Sequence, residues 1–388
     1  MVINVFQPSL GESELAAIRG VFEVNWPGAG PQLEKFCSEF GRLIGIDKGQ
    51  LTTVSSCTEG LFQAVEALGL KSGDEVILPS VSFVGAGHAI LASGATPVLC
   101  DVDPRTLNPS EEMIQQAIGP RTKAIIVLHY GGHPGRVEEI AALAKSRSLF
   151  LIEDAACAIG ARSGSRMCGT FGDIGVWSFD AMKILVTGDG GIVRATDPSV
   201  LDRVNRGTFL GIDGSGFSKS KRQSKWWEFD PTVFGRRARM NDITAAIGLV
   251  QLERLEAFLQ RRHEIAALYD TGLADLTWLV PPPHPEPNKT TSWYFYWIQL
   301  RARNRDLLAR HLLARGIYST FRYWPLHRMR LYKSKSGFQG SDYAAARTLL
   351  LPIHQGMSNA DVEQVIDAVR CFQGSAISRR NTSSKSVQ

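Results

Sequence analysis

Between residues 50 and 195, short β-branched apolar runs alternate with longer stretches in which apolar residues recur every three or four positions. EVILPS (75–80), TPVLCDVD (96–103), KAIIVLHY (123–130), LFLIEDAA (149–156) and DIGVWSFD (173–180) have the length and composition of strands. Between them, GLFQAVEALGL (60–70), SEEMIQQAI (110–118) and RVEEIAALAKSRS (136–148) carry the helical period. Strands alternating with helices imply parallel pairing and right-handed crossovers. The fold class is therefore α/β, a mainly parallel sheet covered by helices on both faces. Ligands in such sheets collect beyond the carboxyl ends of the strands.

Downstream the pattern changes. Residues 241–273 read as one long helix with a break, followed by the proline-rich VPPPHPEP (280–287) and a strand, SWYFYWIQL (292–300). DLLARHLLARG (306–316) and NADVEQVIDAV (359–369) read as helices. The expected organisation is an N-terminal arm and large domain over 1–255 and a smaller C-terminal α+β domain over 256–372. Residues 373–388, polar and serine-rich, read as a disordered tail.

Composition narrows the function classes. The 388 residues are 44% hydrophobic and 21% charged, ordinary for a soluble protein. Lys and Arg number 43 against 38 Asp and Glu, a net charge of +5, partly clustered in Lys219, Lys221, Arg222, Lys225 and in Arg236, Arg237, Arg239. A nucleic-acid binder would need a basic stripe with interleaved aromatics, and Trp226-Trp227 beside Lys225 is its only trace. The six cysteines are scattered without metal-site spacing and read as free thiols in a reducing cytoplasm. No signal-peptide pattern or membrane-length apolar run is present, so a cytoplasmic protein is expected.

The chemistry centres on SFDAMKILVTGDGG (178–191), where Lys183 stands between a strand end and a run of glycines, with apolar Ile184, Leu185 and Val186 after it. An amine there can form a Schiff base with an aldehyde. Asp154 ends an apolar strand, where a carboxylate can pair with a pyridinium nitrogen. SSCTEGLFQA (55–64) is a short polar turn entering a helix, and its N–H groups with the Thr58 hydroxyl can hold a phosphate. Each has a bland reading: Asp154 and Thr58 also suit helix caps, and the glycines a tight turn. Lysine, aspartate and phosphate turn together are what pyridoxal 5′-phosphate (PLP) requires.

The chain resembles the DegT/DnrJ/StrS family of PLP-dependent sugar aminotransferases, which has the aspartate aminotransferase-like fold. The similarity runs from about residue 5 to 372, through GDEVILPSVSFVGAGHAILASGATPVLCDVD, LIEDAACAIGA, GDIGVWSFDAMKILVTGDGGIV, RMNDITAAIGLVQLERLE and YWPLHRM. The resemblance implies that Lys183 carries the cofactor imine and Asp154 pairs with the pyridine nitrogen. It further implies that Phe83 stacks on the ring, although Phe83 equally suits core packing. Thr58, the Cys57 and Glu59 backbone and Ser178 are implied phosphate ligands, and Arg239 an implied ligand reaching the partner's phosphate, hence a homodimer with shared sites. His327 is the implied sugar-facing histidine; without the family it reads as a packing histidine. L-Glutamate or L-glutamine would supply the amine to a keto sugar, nucleotide-linked and ketonic at C3 or C4, in ping-pong fashion.

Departures from the family pattern are specific. Cys57 replaces a glycine of the phosphate turn, Cys157 stands where His or Gln is common, and Asp180 replaces a frequent His or Pro. Arg236 and Arg237 replace uncharged residues, either to meet an anionic substrate such as a nucleotide diphosphate or to face water. Sugar 3-dehydratases of the family carry histidine at the lysine position, so Lys183 speaks against that activity. Aminocyclitol aminotransferases and aminohydroxybenzoate synthases keep the lysine. A non-catalytic sensor would be expected to lose Lys183 or Asp154.

Overall fold

The computed structural model describes residues 2–212, 227–228, 230–302, 304–332, 334 and 337–372. The basic cluster Lys219, Lys221, Arg222 and Lys225, Trp226 and the 373–388 tail lie outside the described residues. In chain order the strands are β1 (Leu51–Val54), β2 (Glu75–Pro79), β3 (Thr96–Cys100), β4 (Thr122–Leu128) and β5 (Phe150–Asp154). A short hairpin, β6 (Arg162–Ser163) and β7 (Arg166–Met167), precedes β8 (Ile174–Ser178) and β9 (Gly191–Ala195).

Seven of these form one sheet in the order β1-β9-β8-β5-β4-β2-β3. Every pair in it is parallel except the two made by β9. The reversal has a local cause: after β8 the chain passes through Lys183 and turns back at Gly188 (φ 92°) and Gly190 (φ 154°), a backbone region closed to most side chains. The glycines therefore make the tight turn, and the turn holds the lysine at the strand end.

The continuous apolar runs are explained by burial on both faces. In β4, Ile125 and Val127 face a core with Ile114, Ile140 and Ala144, while Ala124 and Ile126 face another with Leu61, Ala64, Ile90 and Val204. Successive side chains of one strand thus enter opposite layers. At β8 and β9, a third core joins Phe36 and Phe40 of helix Pro31–Ile44 to Trp177, Phe179 and Leu249. The long helix is broken as expected, into Asp242–Glu253 and Leu255–Leu273 with Arg254 between.

The C-terminal part adds β10 (Leu279–Val280), β11 (Lys289–Thr290), β12 (Tyr296–Leu300) and β13 (Thr348–Leu351). Antiparallel β10-β12-β13 packs with helices Leu255–Leu273, Arg305–Leu313 and Asn359–Arg370. The first residues cross to this layer: the Ile3 N–H donates to the Gly316 carbonyl at 2.8 Å, and Ile3 is buried with Ile265 and Ile317. The strand expected over 292–300 begins only at Tyr296. Before it, the Ser292 and Tyr294 N–H groups bond Gly132 and Gly131, and Trp293 takes φ 48°. That detour delivers Tyr294 to the lysine. Among the described residues, no helix is long and apolar enough to cross a membrane.

Candidate active site

The carboxyl ends of β1, β2, β5 and β8 open into a cavity of about 210 Å³. Six of the sequence-predicted residues line it: Lys183, Asp154, Cys57, Thr58, Phe83 and Ser178. Four stand outside the lining: Glu59, Cys157, Arg239 and His327.

Asp154, 1% exposed, is the floor. Its Oδ1 accepts the Ala156 N–H at 3.1 Å, while its Oδ2 is buried and has no hydrogen-bond partner among the described residues. Burial holds the carboxyl above its ordinary pKa, against the Ala156 N–H and the charges of Lys183 and His129. A buried carboxylate oxygen without a donor is costly, and a cationic N–H set against it removes the cost. Behind Asp154, the His129 Nε2 bonds Glu153 Oε2 at 2.9 Å, and Glu153 accepts the Gly169 and Gly172 N–H groups at 2.7 and 2.6 Å. Burial disfavours the His129 imidazolium, yet Cys168 and Glu153 hold it well above its ordinary pKa. The charged pair keeps a positive group close behind the floor.

Lys183 places its Nζ 3.4 Å from the Tyr294 hydroxyl and 4.7 Å above the centre of that ring. Burial works to lower its pKa, but Tyr294, Cys157, Cys57 and Asp154 outweigh it and hold the ammonium above its usual range. Burial also raises both thiols, Cys157 to about 11.

The expected phosphate turn is the N-terminus of helix Cys57–Ala67. Ser56 caps it, its Oγ accepting the Glu59 N–H at 3.1 Å. The backbone of Glu59, expected as a phosphate ligand, is thus already engaged. Its carboxylate is held by Gln63 at 2.7 Å and Arg236 at 2.9 Å. The Cys57 and Thr58 N–H groups, first in the helix, have no carbonyl one turn back and point the positive helix end at the cavity. Ser178 ends β8 at the same wall.

Phe83 is 38% exposed and packs at 5.6 Å against Tyr323, so its ring presents a face to the cavity and is not a core side chain. Cys157 lies beneath the lining, its Sγ 3.8 Å from the Tyr323 hydroxyl. Arg239 is turned to the Thr208 hydroxyl and the Asn205 carbonyl, at 3.3 and 2.8 Å, outside the cavity of its own chain. His327 is also brought elsewhere. Its Nδ1 meets Ser80 Oγ at 2.7 Å, its Nε2 meets Asp342 at 3.1 Å, and Phe338 stacks on the ring at 4.5 Å. Both ring nitrogens are engaged, which is the packing reading of this residue. Arg236 is spent on Glu59 and, by two bonds, on Glu66, which removes it from the candidates for an anionic substrate.

Sequence reasoning missed Tyr294 as a partner of Lys183, and Tyr323, Arg322 and Met182 in the lining. Tyr294 sits 111 residues from Lys183 and reaches it only through the turn before β12, a contact no local pattern encodes.

The pocket fits PLP on its own geometry. Asp154 Oδ2 wants a cationic N–H, a helix end wants an anion, an aromatic face flanks them, and an amine stands between. Comparison with known proteins points the same way. The pattern of the DegT/DnrJ/EryC1/StrS aminotransferase family matches residues 8–370. A Saccharopolyspora spinosa dTDP-4-dehydro-2,3,6-trideoxy-D-glucose 4-aminotransferase is 46% identical, over 98% of this chain and 99% of that one. The GDP-perosamine synthase of Escherichia coli O157:H7 is 34% identical over 95% and 98%. The crystal structure of the aminotransferase TlmJ from Streptoalloteichus hindustanus superposes with a TM-score of 0.91 at 50% identity, covering 95% of this chain and 98% of that one. This chain belongs to the DegT/DnrJ/EryC1/StrS family of PLP-dependent aminotransferases.

Proposed function

We propose that this enzyme moves an amino group from L-glutamate, or L-glutamine, to C4 of a dTDP-linked 4-keto-deoxysugar. The observation that carries the reaction type is the buried, unpartnered Oδ2 of Asp154 in one cavity with the amine of Lys183. The substrate class rests on the 46% identity, end to end, with the Saccharopolyspora spinosa 4-aminotransferase.

PLP, when bound, supplies an aldehyde that amines attack and a ring that accepts an electron pair. Lys183 is the chain's amine for that aldehyde. With the donor amine bound, Lys183 would be the base that takes the donor's α-proton and returns it one carbon away. Asp154 would fix a positive charge at the ring nitrogen, where it favours an electron pair entering the ring. Tyr294 keeps the freed amine against one wall. Thr58, Ser178 and the Cys57 and Thr58 N–H groups would hold the phosphate, and Phe83 would cover the ring. The reaction runs as two half-reactions, donor first and keto sugar second.

The reading includes a homodimer in which Arg239 of one subunit reaches the other subunit's site. If it is correct, mixing Lys183→Ala with Arg239→Ala chains restores activity to a fraction of the mixed dimers. The main test supplies the holoenzyme with L-glutamate and a dTDP-4-keto-deoxysugar and analyses the product by mass spectrometry. Formation of the amino sugar with 2-oxoglutarate supports the proposal; no product from 4-keto substrates, with turnover of a 3-keto sugar, overturns the C4 assignment.

A further inference from the structure

Arg322 lines the cavity and has no role in the reading given so far. Its place is built. The hydroxyl of buried Tyr130 donates to the Arg322 carbonyl, and the next side chain, Tyr323, is fixed between Phe83 at 5.6 Å and Cys157 at 3.8 Å. The guanidinium lies 5.0 Å over the ring of Phe6, and its Nη2 meets Met182 Sδ at 3.5 Å. Phe6 stacks in turn on Tyr294, 5.5 Å away and 20° inclined, the same tyrosine that holds the amine of Lys183. Met182 immediately precedes Lys183 in the chain. Arg322 therefore stands near the reacting amine, linked to it through the rings of Phe6 and Tyr294 and, separately, through Met182, the chain neighbour of Lys183.

Its hydrogen-bonding capacity is almost unspent. A thioether is a weak acceptor, and among the described residues no carboxylate pairs with Arg322. The guanidinium offers a planar fork of N–H donors whose geometry matches a carboxylate. Two anions could enter this cavity. The α-carboxylate of an amino donor is bonded to the very carbon from which Lys183 takes a proton, so it lies next to that amine. The phosphates of a nucleotide sugar are several bonds from the ketone carbon and so lie farther from that amine. Position near Lys183 selects the first.

We propose that Arg322 clamps the α-carboxylate of the amino donor and thereby restricts donors to α-amino acids. This rests on the aminotransferase reading above. The test compares three donors on the holoenzyme, following the loss of the cofactor's absorbance band in the first half-reaction. They are L-glutamate, L-isoglutamine, whose α-carboxylate is an amide, and L-glutamine, whose side-chain carboxylate is an amide. The wild type should favour L-glutamate over L-isoglutamine by about a hundredfold. In Arg322→Gln that preference collapses, because L-glutamate slows to the rate of L-isoglutamine, while the ratio of L-glutamate to L-glutamine stays as it was.

A binding readout accompanies it. α-Methyl-L-glutamate has no α-proton and binds without reacting onward; its calorimetric affinity should fall about a hundredfold in Arg322→Gln. Arg322→Lys keeps the charge and loses the fork, and should recover part of it. Two outcomes overturn the assignment: a preference for L-glutamate over L-isoglutamine that survives in Arg322→Gln, or a variant whose loss falls on KM for the keto sugar, which would give Arg322 to the phosphates. A wild type loaded with cofactor but inert toward every donor and keto sugar overturns the aminotransferase reading itself, and this assignment with it.

Discussion

At the scale of single residues, the amine and the carboxylate at the floor divide the work, and their removal should look different. Lys183→Ala removes both the anchor and the base, with the surrounding walls intact. It should bind the cofactor without the covalent imine absorbance and lose about 10⁴-fold or more in the glutamate half-reaction, measured in a single turnover. Retention of more than a hundredth of the wild-type rate would sink the role given to Lys183. His129 is a different case, because it touches no reacting atom and acts through Glu153 and Asp154. His129→Ala leaves the carboxylate of Glu153 buried at 0% exposure with its charge uncompensated. Breaking a buried pair in this way costs about 3 kcal/mol or more, read as a lower urea midpoint at unchanged slope.

At the scale of elements, the site depends on where strands end and helices begin. The helix at Cys57 is started by Ser56, whose Oγ takes the Glu59 N–H and leaves the Cys57 and Thr58 N–H groups to the cavity. Ser56→Ala should cost about 1 kcal/mol in stability and let the first turn fray. Its distinguishing effect is a higher apparent Kd for PLP in fluorescence titration, with an unchanged rate once the enzyme is saturated; an unchanged Kd would separate the cap from phosphate binding. These elements also show what was legible. The parallel strands were readable because both their faces are buried, and Lys183 and Asp154 because strand ends in an alternating chain are where ligands sit. β9 was not, since its pairing comes from the glycine turn after Lys183, whose direction reversal a period-two pattern does not encode. Nor was the engagement of the Glu59 backbone, which a neighbouring serine decides by a single hydrogen bond. His327 reads in two ways, as a ligand contact from the family position and as packing from the residues alone; here Ser80 and Asp342 engage its two nitrogens and Phe338 stacks on its face.

At the scale of the whole molecule, the layers meet over histidines buried without charge. His133 lies between the large sheet's loops and the proline-rich segment, and burial, reinforced by nearby His284, lowers its pKa to about 4. His354 follows β13, and burial with the cation of Arg262, against the opposing charge of Asp361, lowers its pKa to about 4 as well. An unfolded chain binds a proton at each of these positions once the pH falls below about 6.5. Between that pH and about 4 the unfolded state therefore holds more protons than the folded one, and stability must rise with pH across the window. Each of these histidines contributes up to about 1.4 kcal/mol per pH unit within that window. Urea unfolding from pH 7 down to 4.5 should show stability falling as the pH drops below about 6.5. A His133→Phe variant, which keeps an aromatic ring against Trp293 and Trp297, should flatten that slope by about one proton's worth. A slope that persists undiminished in the variant would place the acid sensitivity in the carboxylates. Glu153, whose pKa is held low by His129 and two backbone N–H groups against its burial, would then be the first to examine.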